Sequence, residues 1–65
     1  MDNIQFDIQT ICTYTKLSCE QLAIKCGIEP NHLKAVMAGR ARLLAYDIKM
    51  LHKFTGIPYE NIRTE

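Results

Sequence analysis

Five basic side chains, Lys34, Arg40, Arg42, Lys49 and Lys53, fall within residues 30–53 against Asp47 alone, so that segment carries +4 while the whole chain carries +1 at neutral pH. Charge gathered in this way attracts polyanions, because clustered ammonium and guanidinium groups neutralise phosphates and release their condensed counterions. The opposite sign collects at the start, where Asp2 and Asp7 are unopposed by any base in residues 1–15. The cysteines, Cys12, Cys19 and Cys26, recur every seventh residue. That spacing is neither a CxxC pair nor a common zinc pattern, and neither His32 nor His52 stands where it would complete one. The expectation is reduced thiols packed in a core, with no disulfide, metal or cofactor. Serine–histidine and cysteine–histidine pairs exist in the chain, but none comes with a third orienting group at readable spacing, and a glycine-rich phosphate loop is absent. No enzymatic activity is expected.

The elements that must position these side chains read as short helices. At 65 residues, 48% apolar and 23% charged, the sequence describes one small domain over residues 1–65. A chain of this size buries only roughly 60% of its unfolded surface, so dimerisation would help it. Its apolar runs fall short of the ~18–20 residues a membrane span needs. Met1-Asp2-Asn3 lacks the basic start of a signal peptide, and the expected location is cytoplasmic. Ile4, Ile8, Ile11 and Cys12 draw one apolar stripe along a first helix that ends near Thr15. Ser18 followed by Gln21 is a capping-box pattern that opens a second helix, with Leu22, Ala23 and Cys26 inward and Gly27 as its left-handed stop. Pro30 fits the first turn of a third helix, whose buried stripe is Leu33, Val36 and Met37 and whose stop is Gly39. A fourth, from about Ala45 to Thr55, sets Ile48, Leu51, His52 and Thr55 at helical spacing with Met50 and Phe54 on an adjoining row, and Gly56 ends it. Pro58 opens a last short helical turn containing Tyr59 and Ile62. No segment alternates with period two, so a sheet is not supported.

The stretch from Cys19 to Ala38 is the most informative. Two helices joined by a tight turn cross at a steep angle, which requires a small residue at the crossing and a residue tolerant of positive φ at the turn. Ala23 and Gly27 meet those requirements four positions apart, and Leu22, Cys26, Ile28, Leu33 and Val36 close the wedge from both sides. With Lys16-Leu17-Ser18 before the second helix, Gln21-Leu22-Ala23 within it, Cys26-Gly27-Ile28 at the turn, and Leu33, Val36 and Gly39 across the third, the chain resembles the lambda-repressor-like (Cro/repressor) helix-turn-helix family of bacterial and phage regulators. The likeness continues through Ile48, Leu51, Gly56-Ile57 and Ile62 and spans about Ile8 to Ile62. It implies an all-α, compact five-helix domain with its helix-turn-helix at residues 18–38, binding double-stranded operator DNA, usually as a two-fold dimer.

The same resemblance implies which side chains meet DNA. The third helix would lie in the major groove with the residues near its N-terminus against base edges. On this sequence those positions are Pro30, Asn31, His32, Lys34 and Ala35. Asn31 can pair bidentately with adenine, His32 can reach guanine or phosphate, Lys34 guanine or backbone, and Ala35 a thymine methyl. Arg40 and Arg42 follow the third helix where the family sets basic residues against phosphates. Lys16 precedes the second helix, whose N-terminal amides point at a phosphate, and Cys19 stands where the family often has a phosphate-binding glutamine. Lys49 and Lys53 are further phosphate candidates on helix four. Cys12 replaces a frequent arginine, Ala38 a frequent asparagine, and Glu29 brings a carboxylate close to where phosphates would run.

A second, apolar surface is expected from Leu43, Leu44 and Tyr46 and from Ile57, Tyr59 and Ile62, because so small a domain cannot bury them all. Ile57, Tyr59, Leu43 and Leu44 are the candidate homodimer contacts. The sequence thus points to a DNA-binding regulator of Cro-like type. The alternative is a helix-turn-helix fold used as a protein-binding module, such as an antirepressor that docks on another regulator.

Overall fold

In a computed structural model that describes residues 4–63, the chain folds into α1 (Ile8–Thr15), α2 (Cys19–Cys26), α3 (Pro30–Met37) and α4 (Ala45–Thr55), followed by a single 3₁₀ turn over Tyr59–Asn61. Met1-Asp2-Asn3, on which the leader reading rests, lies outside the described residues. Among the described residues there is no strand, and the architecture is all-α. None of the helices is long and apolar enough to cross a membrane.

Each helix begins and ends on an identifiable side chain or backbone motif. Asp7 caps α1 by accepting from the Thr10 amide at 2.8 Å, and Ser18 caps α2 by accepting from the Gln21 amide at 3.1 Å. Glu29 caps α3 by accepting from the His32 amide at 2.9 Å, with Pro30 in the first turn, where its missing N–H costs nothing. Gly27 stops α2 at φ +73°: its N–H bonds the Ile24 carbonyl and the Ile28 N–H bonds the Ala23 carbonyl at 2.8 Å. This paired arrangement satisfies carbonyls the helix leaves open and needs a residue free to take positive φ. Gly39 repeats the device at φ +82°, so that the Arg40 N–H bonds the Ala35 carbonyl at 2.8 Å. The first residue of the arginine-bearing loop is therefore tied directly to the end of α3.

The core lies where the helices meet. Ile11, Leu22, Ala23, Leu33 and Leu51 are fully buried, one or two from each helix, and Ile8, Cys26, Ile28, Leu43, Ile57 and Ile62 complete the cluster. α3 packs most extensively against α2, which also meets α4. The chain ends clasp each other. Phe6 donates to the Asn61 carbonyl at 2.8 Å, Arg63 donates to the Phe6 carbonyl at 2.9 Å, and the Asn61 side-chain amide donates to the Ile4 carbonyl at 2.7 Å.

Four expectations are corrected. The architecture has four α-helices, because Pro58 is followed by only three 3₁₀ residues before Ile62 extends to pair with Phe6. Ile4 precedes the Asp7 cap, so it stands outside α1 and is exposed. Met37 ends α3 on its outer side, 42% exposed, and leaves the buried stripe to Leu33 with Val36 half-buried against it. At the start of α2 only the Ser18 half of the capping box is present, with Gln21 exposed to solvent.

Candidate functional site

The exposed part of α3 begins at the Glu29 cap. That carboxylate accepts from the His32 amide and so stands at the helix N-terminus, where a negative group is favoured. Asn31 and Lys34, three residues apart and on one side of α3, are both exposed, while Ala35 is half-buried. His32 is placed differently. Its Nε2 donates to Asp47 Oδ2 at 2.7 Å, and its side chain is 26% exposed against 4% for Asp47. The imidazole is therefore engaged with the start of α4 and is not presented with Asn31.

Asp47 was missed as a site residue by sequence reasoning, which counted it only as the one acid in a basic segment. It is the buried charged residue of the described chain, 3% exposed, and its Oδ2 also accepts from the Leu44 amide at 2.8 Å. One carboxylate thus closes the first turn of α4 and holds the first turn of α3. The only sequence signal was an acid at the third position of a predicted helix, a common capping arrangement. Nothing local pointed to His32 as its partner. Tyr46 adds a second link between the same regions, its hydroxyl donating to the Gly27 carbonyl at 3.3 Å.

The phosphate candidates divide by exposure. Arg40 and Arg42 are exposed immediately beyond α3, and Lys16 is exposed at φ +61° in the link from α1 to α2. Cys19, the first residue of α2, is half-buried against the core. Burial pushes its thiol above the ordinary value, and the Lys34 ammonium nearby pulls in the opposite direction. Lys49 and Lys53 are exposed on α4. No family model, curated protein or solved structure matches this chain.

The thiols are free, with Cys26 buried and Cys12 and Cys19 half-buried. Burial raises all three, Cys26 to about 11. Among the described residues no group of three or more histidine, cysteine and carboxylate side chains is arranged to hold a metal ion. Neither histidine ring bonds a hydroxyl or thiol there, since His52 Nδ1 donates to the Ile57 carbonyl at 2.7 Å and its ring stacks on Tyr59 at 4.3 Å. Both rings serve as ties between segments. Of the four dimer candidates, Leu43 and Ile57 belong to the chain's own core, at 8% and 5% exposure, where the segments flanking the two ends of α4 turn inward. Leu44 and Tyr59 are exposed.

Proposed function

We propose that this chain is a sequence-specific DNA-binding transcriptional regulator of Cro-like type, with α2, the Gly27 turn and α3 serving as a helix-turn-helix. The observation that carries the reading is the joint exposure of Asn31 and Lys34 on α3 and of Arg40 and Arg42 just past its end, on a backbone held by Gly27, Gly39 and the His32–Asp47 pair. In this reading α3 enters the major groove, Asn31 and Lys34 read base edges, Ala35 lies close to them, and Arg40, Arg42 and Lys16 neutralise phosphates. Cys19 contributes the backbone of the α2 start and no charged side chain. His32 acts one step back, by fixing the angle at which α3 is offered. The regulator works by occupying its operator, in the cytoplasm of a bacterial or phage-infected cell, and as a homodimer through Leu44 and Tyr59.

Selection of bound fragments from genomic DNA, followed by titration at two salt concentrations, tests this. A groove binder returns a recurring site and loses affinity steeply with salt, by ~0.9 per phosphate contact on logarithmic axes. Arg40→Ala is expected to weaken all sequences alike and flatten that slope, while Asn31→Ala relaxes discrimination at one base pair by ~1–3 kcal/mol. Failure to enrich any site, with neither substitution changing binding, refutes the assignment. A strict monomer in sedimentation at high micromolar concentration refutes the dimer.

A second reading rests on an apolar groove of about 390 Å³ bordered by Ile4, Phe6, Tyr14 and Pro58, with Ile4 and Tyr14 more than half exposed. Apolar surface of that kind suits a protein partner, as an antirepressor would require. In that case DNA titrations show little binding at either salt concentration.

A further inference from the structure

We propose that the cleft between the start of α1 and the segment after α3 binds a small amphiphilic anion, its head group held between Arg42 and Arg63 and its short apolar body resting on Val36 and Met37. The cleft has a volume of about 340 Å³ and is also bordered by Gln9, Gly39 and Ala41. That volume lies at the lower end of the range for small-molecule pockets, which combine apolar lining with a few placed polar groups.

The charges favour an anion. Arg42 and Arg63 come from distant parts of the sequence, and among the described residues neither forms an ion pair. Arg63 is brought to the cleft by the clasp of the chain ends, in which its amide bonds the Phe6 carbonyl at 2.9 Å. Among the described residues Asp7 is the one carboxylate bordering the cleft, and its Oδ1 already accepts from the Thr10 amide at 2.8 Å. That bond, foremost, holds the Asp7 carboxyl below the usual carboxylate range, and the Arg63 guanidinium contributes in the same direction. Asp7, ionised at neutral pH, offsets one of the two arginine charges, and the described lining of the cleft keeps a net charge of +1. Guanidinium groups pair with carboxylates and phosphates in a planar, two-pronged geometry, which makes a single anionic head the natural bridge between two of them. Val36 and Met37 supply apolar surface at the edge of the core, with Met37 able to reshape around a ligand.

Octanoate is a suitable probe, followed by amide chemical shifts of the labelled full chain. The expected result is saturable shifts at Gln9, Met37, Gly39, Ala41, Arg42 and Arg63. Arg42→Ala and Arg63→Ala, both at exposed positions, are expected to weaken binding by ~tenfold each, the loss of one charge-assisted contact. Arg40→Ala, outside the cleft, should leave affinity unchanged. Inorganic phosphate, which has the charge without the apolar body, should bind more weakly than octanoate. Four results each overturn the proposal: no saturable shifts at millimolar octanoate, saturable shifts lying elsewhere, equal weakening by Arg40→Ala, or phosphate binding as tightly as octanoate. No DNA is present in this titration, so its failure is separate from any failure of the DNA-binding reading.

Discussion

Removing the Asp47 carboxylate should be among the most damaging single polar substitutions available in this chain, and the structure sets the size of the effect. Asp47→Ala deletes the acceptor of the Leu44 amide at 2.8 Å, a capping interaction worth ~1 kcal/mol. It also removes a negative charge from the first turn of α4, worth ~0.3–1 kcal/mol. The third loss is the 2.7 Å bond from His32, three-quarters buried, for which ~1–1.5 kcal/mol is appropriate once partial solvation is allowed for. Together these give ~2.3–3.5 kcal/mol, a large share of the stability of a domain this small. The midpoint of thermal unfolding should fall by ~10–28 °C. Urea denaturation followed by far-ultraviolet circular dichroism measures the loss, and Asp47→Asn, which keeps the volume and one acceptor, should lose about half as much. A double-mutant cycle with His32→Ala should return a coupling of ~1 kcal/mol, since the two side chains share one contact. A loss below ~0.5 kcal/mol for Asp47→Ala, or strictly additive effects in the cycle, would show that the pair does not hold α3 to α4.

Three other outcomes are expected. Gly27→Ala should cost ~1–2 kcal/mol in urea denaturation and more than Gly56→Ala, because both take positive φ but only at Gly27 does an added Cβ come within 3.3 Å of the Tyr46 hydroxyl; equal losses would dismiss that contact. The Asp7 carboxyl titrates lower in the folded chain than in the unfolded one, so its contribution is complete at neutral pH and is lost as pH falls from ~4 through its folded value. Stability measured over that acid range should therefore fall less steeply for Asp7→Ala than for the parent chain. Cys26, pushed up to about 11 and buried, should be alkylated by iodoacetamide at pH 8 well after Cys12 and Cys19, as read by mass spectrometry; labelling of Cys26 first would contradict the packing.

The legible parts of this fold are those whose signals act over a few residues. Ser18, Gly27, Pro30, Gly39 and Gly56 mark the bounds of α2, α3 and α4 because a cap or a positive-φ stop depends on backbone groups within one turn. Leu22, Ala23, Cys26, Leu33 and Leu51 were legible as core for a related reason, since one apolar stripe per short helix leaves little choice of inward face. The basic segment after α3 and the exposure of Asn31 and Lys34 follow from the same faces. Periodicity failed at the helix ends: Ile4 and Met37 lie in phase with buried residues, yet one stands before its helix and the other ends one.

How the helices are set against one another is a different kind of fact, and it determines which polar groups meet. His32 and Asp47 are separated by 15 residues and Tyr46 and Gly27 by 19, and nothing near any of these residues in the sequence pointed to its partner. Leu43 and Ile57, candidates for a dimer contact when read in line, became part of the core once α4 lay across α2. Arg63 reached the cleft beside Arg42 only through the pairing of the two chain ends. Local stereochemistry writes caps and stripes into short strings of residues. Contacts between distant side chains depend on the joint placement of several rigid helices, which no short string encodes.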